Sequence, residues 1–464
     1  MHPLVISPQL ESWEICVITK GEIGFANLEG ASRVYEQMAP GLLYDAGNLL
    51  DSISDTFHNR AEGVLLVDRF PGPSDEEEGA KARTIAMEAS AVKAGWVSTS
   101  VNSEDTRVTG WLSFRNADAG RVIHVGILPA MEPGRMALYK ASDPAQTIID
   151  KMIEYGTTTG VLWRINGGIS CCLGIRADRE ERSGVQSSLV ELGIDMDKGE
   201  PWWRWDSAPS GLHGAGRPTW SRDLAPAERH GHVVTFDVRA QGLAAMYTAR
   251  FGWGRPRRKG NATFDPTRAG LWLIAGRALT GMDGPPLLDE RYVDSRGLTW
   301  VSTRALEHYF RLGIEPLIYD SWTTATSAQL LKPFAQKLRN ALLTETCTIR
   351  EAIKATYSEG PSMWTRPGGS IFRPDWYHTH QDTATFNLRL KIEKAKQEIG
   401  MWPCRIYGDE ISYPVDDEQG HRELAAALGV ELGKPATLGK LKYTGRELAS
   451  DWQDKRERNT KARV

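Results

Sequence analysis

Two stretches of this 464-residue chain put carboxylates where a fold could use them for chemistry. In HVVTFDVRAQGLAAMY, residues 232–247, Asp237 closes an apolar strand and precedes an apolar helical run. A strand end exposes such a carboxylate, and the helix that follows can turn backbone N–H groups toward phosphate. An aspartate at that place also serves as a cap, and the segment alone does not separate the two roles. In CRIYGDEISYPV, residues 404–415, Asp409 and Glu410 interrupt a β pattern. Burying acids there is costly without a metal or a cation, whereas a plain YGDE hairpin turn would leave both solvated. The segments SAQLLKPFAQKLRNALL and TIREAIKATY lie between them and carry Lys332, Lys337, Arg339, Arg350 and Lys354. Arg350 and Lys354 share a helical face, as do Lys354 and Tyr357. Such a stripe is either a solvated face or what a triphosphate needs. Taken together, the segments suit phosphoryl transfer, in which two carboxylates hold two divalent ions roughly 3.5–4 Å apart and cations sit on the phosphates. The acids are far apart in sequence, so neighbouring strands must bring them together.

The surrounding pattern supplies such elements. HVVTFDV reads as a buried strand, residues 297–315 as a strand and helix, 327–344 and 348–357 as two helices, and 382–398 as a long helix ending at Gly400. PCRIYGDEISYPV is a strand hairpin. Upstream, residues 104–177 read as one α/β unit. TGWLSF and RVIHVGIL pair, ASDPAQTIIDKMIEYG is a helix with Pro144 in its first turn, and TGVLWRI and ISCCLGIRA follow as strands. Residues 178–230 are rich in Gly, Pro and Trp and read as a linker, and FPGPSDEEEG, residues 70–79, as a solvated loop.

Composition bounds the rest. At roughly 100–200 residues per domain the chain holds two or three. Hydrophobic residues make up 41% and charged ones 25%, an ordinary globular balance. The net charge of −3 excludes a uniformly basic nucleic-acid binder but not a local basic groove beside an acidic site. Five cysteines form no CxxC pair, which argues for a reducing compartment, a cytoplasmic setting and no zinc site. No apolar run reaches roughly 18 residues, so no membrane span is expected. The sixteen tryptophans are assigned to packing rather than to base stacking.

The order and several residues of these motifs resemble the family B DNA polymerases, especially the protein-primed and primer-independent branch. The family's first palm motif, Asp-x-x-Ser-Leu-Tyr-Pro, matches Asp237-Val238-Arg239-Ala240-Gln241-Gly242-Leu243. Its fingers motif, Lys-x-x-x-Asn-Ser-x-Tyr-Gly, matches a shortened Lys354-Ala355-Thr356-Tyr357-Ser358-Glu359-Gly360, and its last palm motif, Asp-Thr-Asp-Ser-Ile, matches Tyr407-Gly408-Asp409-Glu410-Ile411. The likeness covers about residues 230–445. It implies an α+β fold: an antiparallel palm sheet with helices, helical fingers at about 325–362 and a truncated thumb, all within 231–464. An RNase H-like exonuclease-type α/β domain at 101–185 would precede it, after an N-terminal α/β domain at 1–100 and before a linker at 186–230.

What the resemblance implies for function is template-directed nucleotidyl transfer with Mg²⁺ or Mn²⁺. Asp237, Asp409 and Val238 would bind metal, with Lys354 as the third catalytic residue. Lys337, Arg350, Tyr357 and Gly242 would contact the nucleotide, and Arg255, Arg257, Arg258, Lys259, Lys440 and Lys442 the DNA. The implied partners are template and primer DNA, deoxynucleotide or ribonucleotide triphosphates and a terminal or accessory replication protein. Gly242 stands where the family has the tyrosine that excludes a 2′-hydroxyl, which opens the way to ribonucleotides and short primers. The strand TGWLSF lacks the acids of the first exonuclease motif, so a remnant without activity is expected. The alternative function is a catalytically retired, polymerase-like DNA-binding protein at replicon ends or in a replication complex. A separate motif, RPDWYHTHQD at 373–382, offers His378, His380, Asp375 and Asp382, read as structural or surface groups more than as a metal site.

Overall fold

A computed structural model describes residues 15–19, 22–26, 32–36, 50, 62–67, 85, 87–98, 111–116, 122–127, 143–159, 184–194, 204–205, 207–209 and 212. It also describes 219–461 apart from 281–283, 345–346, 367–370 and 434–436. Met1–Gly184 with Asn340–Gly360 form one unit, and Val185–Arg339 with Pro361–Val464 another.

In the first unit, short β-branched and aromatic runs build a seven-stranded sheet from β1 (Ile15–Ile18), β2 (Glu22–Ala26), β3 (Ser32–Glu36), β4 (Glu62–Val67), β5 (Trp96–Ser98), β6 (Trp111–Asn116) and β7 (Val122–Ile127). The order is β3-β2-β1-β4-β7-β6-β5. β1 lies between antiparallel β2 and parallel β4, and its sequence ICVI is buried throughout, as a strand covered on both faces requires. Helix α1 (Ala145–Thr159) buries Ile148, Ile149, Met152 and Tyr155 along one stripe, and its first N–H donates to Glu22 at 2.9 Å. The strands run on both sides of residue 100, so the boundary expected there falls inside one sheet. β6, WLSFRN, carries no acid. The loop expected at 70–79 and the strands expected over 160–177 lie outside the described residues. The helix α6 (Arg350–Ser358) also groups with this unit.

The second unit opens with α2 (Gly184–Glu191) and holds β8 (Thr219–Ser221), β9 (His232–Val238), α3 (Gln241–Thr248), β10 (Phe251–Trp253) and β11 (Arg257–Gly260). Next come β12 (Gly270–Ala275), β13 (Leu298–Ser302), α4 (Thr303–Arg311), β14 (Ile318–Thr323) and β15 (Thr326–Ala328). Helix α5 (Lys332–Leu343) runs across the division between the units. The unit closes with α7 (Pro374–Ile399), β16 (Arg405–Tyr407), β17 (Glu410–Val415), α8 (Glu418–Ala427), β18 (Leu441–Leu448) and α9 (Ala449–Lys461).

Three antiparallel sheets result, ordered β18-β9-β17-β16-β8, β11-β14-β12-β13 and β10-β15. The expected α+β class, antiparallel sheets with helices, is therefore the architecture found. Alternation along β9 positions the site. Val234, Phe236 and Val238 enter a core shared with Leu388 and Ile392 of α7 and Leu424 of α8. Thr235 and Asp237 consequently point to the other face. Helix α7 starts earlier than the sequence pattern suggested, at Pro374, and stops where Gly400 takes the left-handed conformation with φ 71°.

The segment expected to be an irregular linker, 186–230, contains α2 and β8. Within it Trp205 is buried, donates its backbone N–H to the Phe372 carbonyl at 2.9 Å and packs against Trp322 with ring centroids 5.2 Å apart. The apolar surface of one tryptophan outweighs the surrounding Gly and Pro.

Candidate active site

Strand register brings the two acids to one end of one sheet. β9 pairs with β17 so that Asp237 lies opposite Glu410, and the Val238 N–H donates to the Asp409 carbonyl at 3.1 Å. Gly408, with φ 65°, and Asp409 form the two-residue turn between β16 and β17. Asp409 therefore stands one residue before Glu410 at the same strand end, opposite Val238, and both aspartates are half-buried. On the other side β18 places Lys442 opposite Asp237, and its Nζ lies 2.8 Å from the Asp237 carboxylate.

Glu410 stands beside Asp409 in the sequence, where the motif reading gives it no role in the site. It faces Asp237 directly across the ladder, a like-charge arrangement that needs compensation. Arg405 stands 3.6 Å from Glu410 and also over the Tyr407 ring at 5.1 Å. This end of the sheet thus presents three acids with Lys442 and Arg405 interleaved. That Glu410 faces Asp237 could be known only from the register of β9 and β17.

The turn after β9 is held in place by its neighbours. Ala240 sits at φ 53°, an unusual conformation for a residue with a Cβ. The Arg239 N–H donates to the Lys440 carbonyl at 3.0 Å, and the Gly439 N–H donates to the Arg239 carbonyl at 2.7 Å. Lys391 of α7 donates to the Gly439 carbonyl at 2.8 Å. Burial, and then the nearby Lys440 charge, push the Lys391 ammonium down to about 8. On the same side of α7, His380 bonds the Gly242 carbonyl at 2.9 Å and Gln241 donates to the Ala384 carbonyl at 3.2 Å. Lys391 carried no sequence motif; its role follows from lying one helical stripe along from His380 and Ala384.

The other expected residues divide as follows. Gly242 is half-buried in the first turn of α3. Lys442, expected to meet DNA, is instead held by Asp237, its cross-strand neighbour, while Lys440 is exposed. Arg257 and Lys259 are exposed on β11, Arg255 is exposed just before it, and Arg258 is tied to Asp320 at 2.8 Å. Lys337 pairs with Glu191 at 2.7 Å. Arg350, Lys354 and Tyr357 belong to α6 in the first unit: Lys354 pairs with Glu351 in the same helix, Arg350 donates to the Leu342 carbonyl at 3.1 Å, and Tyr357 is buried. The His-rich motif lies inside α7, with Asp375 locked to Arg373 at 2.6 Å, both fully buried.

Asp237 and Asp409 offer hard oxygens at a reachable strand end, the donor type that Mg²⁺ takes. Mg²⁺ commonly binds through one or two carboxylates and completes its shell with water and substrate phosphates. Among the described residues no three His, Cys, Asp or Glu side chains converge into a metal site of their own. No helix among them is long and apolar enough to cross a membrane.

No protein-family model matches the chain. No curated protein matches its sequence. Among solved structures the chain aligns with Phi29 DNA polymerase complexed with primer-template DNA, at 11% identity and a TM-score of 0.47, over 94% of this chain and 84% of that one. It also aligns with Phi29 DNA polymerase complexed with single-stranded DNA, at 11% identity and a TM-score of 0.45 over the same shares. A third alignment is to the ternary complex of that polymerase with primer-template DNA and incoming nucleotides, at 10% identity and a TM-score of 0.44, over 95% of this chain and 85% of that one. At such identities and scores the alignments fix neither an activity nor any site residue.

Proposed function

We propose that the strand-end site of the second unit carries out template-directed nucleotidyl transfer, as a DNA polymerase or a priming polymerase. The single observation behind this reading is the register of β9 and β17, with Asp237 opposite Glu410 and Val238 bonded to Asp409. Asp237 and Asp409 would hold Mg²⁺ or Mn²⁺, with the Val238 main chain beside them. Such ions, when bound, lower the pKa of an attacking hydroxyl and offset the charge of a leaving pyrophosphate.

The chain's own groups supply orientation. Lys391, Gly439 and Arg239 fix the turn that aims Asp237. Arg255, Arg257 and Lys259 offer exposed charge to a nucleic-acid backbone. Gly242 stands where the resemblance puts a sugar-excluding tyrosine, and its lack of a side chain would suit a ribose as well as a deoxyribose. Lys354, Arg350 and Tyr357 belong to the other unit, and the proposal does not depend on them. Primer extension with labelled nucleotides in Mg²⁺ tests the reading. Incorporation is expected from the intact chain, from both ATP and dATP, and none from Asp237→Ala or Asp409→Ala. Incorporation by either variant would refute it.

A second reading is favoured by one specific contact. Lys442 already occupies the Asp237 carboxylate, and a resident ammonium does part of what a metal would do. On that reading the acids are structural, and the protein binds DNA without extending it. A purified chain that binds primer-template but incorporates nothing in Mg²⁺ or Mn²⁺ supports this second reading.

A further inference from the structure

The face of α7 turned away from the acid site borders a cavity of about 490 Å³ within the second unit. Its size falls in the range of small-molecule sites, roughly 300–1,000 Å³. Trp220 of β8, Trp300 of β13 and Phe386 and Ile392 of α7 give it aromatic and aliphatic walls. Asp382, the last acid of the His-rich motif, also lines it.

The state of Asp382 is what sets the cavity apart. Its carboxylate accepts the backbone N–H of Ser302 at 3.1 Å and a hydrogen bond from the Ser302 hydroxyl. Among the described residues no Lys, Arg or His nitrogen forms an ion pair with it. The neighbouring cation, Arg389, is spent elsewhere: it pairs with Glu393 at 3.0 Å and donates to the Pro285 carbonyl at 2.7 Å. Burial raises the Asp382 carboxyl to about 6, and its charge helps raise the Tyr309 hydroxyl on the same wall. At neutral pH the cavity therefore holds a desolvated negative charge with hydrogen bonds from Ser302 and no ion-pair partner among the described residues, a costly arrangement unless a cation arrives.

Hard divalent ions favour a shell of several oxygen ligands, whereas aromatic and aliphatic walls favour an organic cation. Asp289 and Glu290 also line the cavity, Asp289 being held by Arg291, and aromatic walls around the Asp382 carboxylate suit an ammonium group with an apolar or aromatic tail. We propose that this cavity is a binding site for a small organic ammonium, its nitrogen on Asp382 and its tail between Trp220, Trp300 and Phe386. Nothing in this depends on whether the acids at the other face of α7 are catalytic.

Calorimetric titration of the full chain with phenethylammonium tests the site. Saturable binding is expected, weaker by about tenfold or more for the neutral isostere 2-phenylethanol and for Asp382→Asn. Thr385→Trp, which adds bulk to the cavity wall from α7 and leaves the Asp382 carboxyl in the chain, should also abolish binding, and circular dichroism of both variants separates lost binding from lost folding. Asp409→Asn should bind as the intact chain does, since it lies at the other site. Absence of binding by a chain that is folded by circular dichroism, equal binding of the neutral isostere, or unchanged binding by Asp382→Asn would each overturn the proposal.

Discussion

Two ion pairs in the second unit share the same chemistry and sit in opposite surroundings. At the start of α7, Arg373 holds Asp375 through two hydrogen bonds with both side chains sealed from solvent. The guanidinium also donates to the Gly252 carbonyl at 2.9 Å and lies over the Trp376 ring. At the end of β9, Lys442 meets Asp237 with 44% of the lysine side chain exposed. The buried pair is fixed, because breaking it strands a charge in the interior. The exposed pair is cheap to separate, because water takes up either partner. A carboxylate that must exchange ligands belongs in the second environment, and Asp237 is there.

Substitutions can break this contrast. Asp375→Ala leaves Arg373 buried and unpaired, and a loss of about 3–5 kcal/mol in chemical denaturation is expected. Asp237→Ala should change stability by less than about 1 kcal/mol, since its partner is solvated. If the two losses were equal, the environments would not differ as described.

The pH dependence of stability sharpens the contrast at a third acid. Asp382 has a folded value of about 6 against the usual 3.8. The folded chain therefore holds the proton more tightly than the unfolded one, and the stability this group contributes is lost as pH rises from about 4 to about 6. Asp382→Asn should accordingly show a shallower fall over that window, measured by thermal melts across pH; an unchanged profile would contradict the burial argument.

Smaller effects follow from Lys442 and β11. Lys442→Gln frees Asp237, and Mn²⁺ affinity should rise by about two- to fivefold at low salt, matching a surface pair worth up to about 1 kcal/mol. The gain should shrink as added salt screens the pair in the intact chain. Arg257→Ala and Lys259→Ala should each lower the salt slope of DNA binding by about one. A slope that stays the same would remove β11 from the nucleic-acid surface.

Much of the second unit was legible because local signals agreed with tertiary packing. HVVTFDV alternates toward a core, and the YGDE turn has Gly408 at the position that needs positive φ. Pro374 and Gly400 bracket α7, although the polar run between Asp375 and Asp382 hid its first two turns. Cross-strand facts were not legible. That Glu410 faces Asp237, and that Lys442 reaches it from the far side, depends on register, which a single sequence does not encode locally. The strands on both sides of residue 100 form one sheet through parallel pairings of β1 with β4 and β4 with β7, contacts too distant for a pattern reading to anticipate. The Trp205 anchor was hidden by its Gly- and Pro-rich surroundings.

Binding of Mn²⁺ followed by electron paramagnetic resonance, without nucleotide or DNA, reads directly whether Asp237 and Asp409 act on one ion. The expected result is a bound ion in the intact chain, weakened by about tenfold or more in Asp237→Asn and in Asp409→Asn alike. An intact chain that binds no ion, or an Asp409→Asn variant that binds as tightly as the parent, would contradict it.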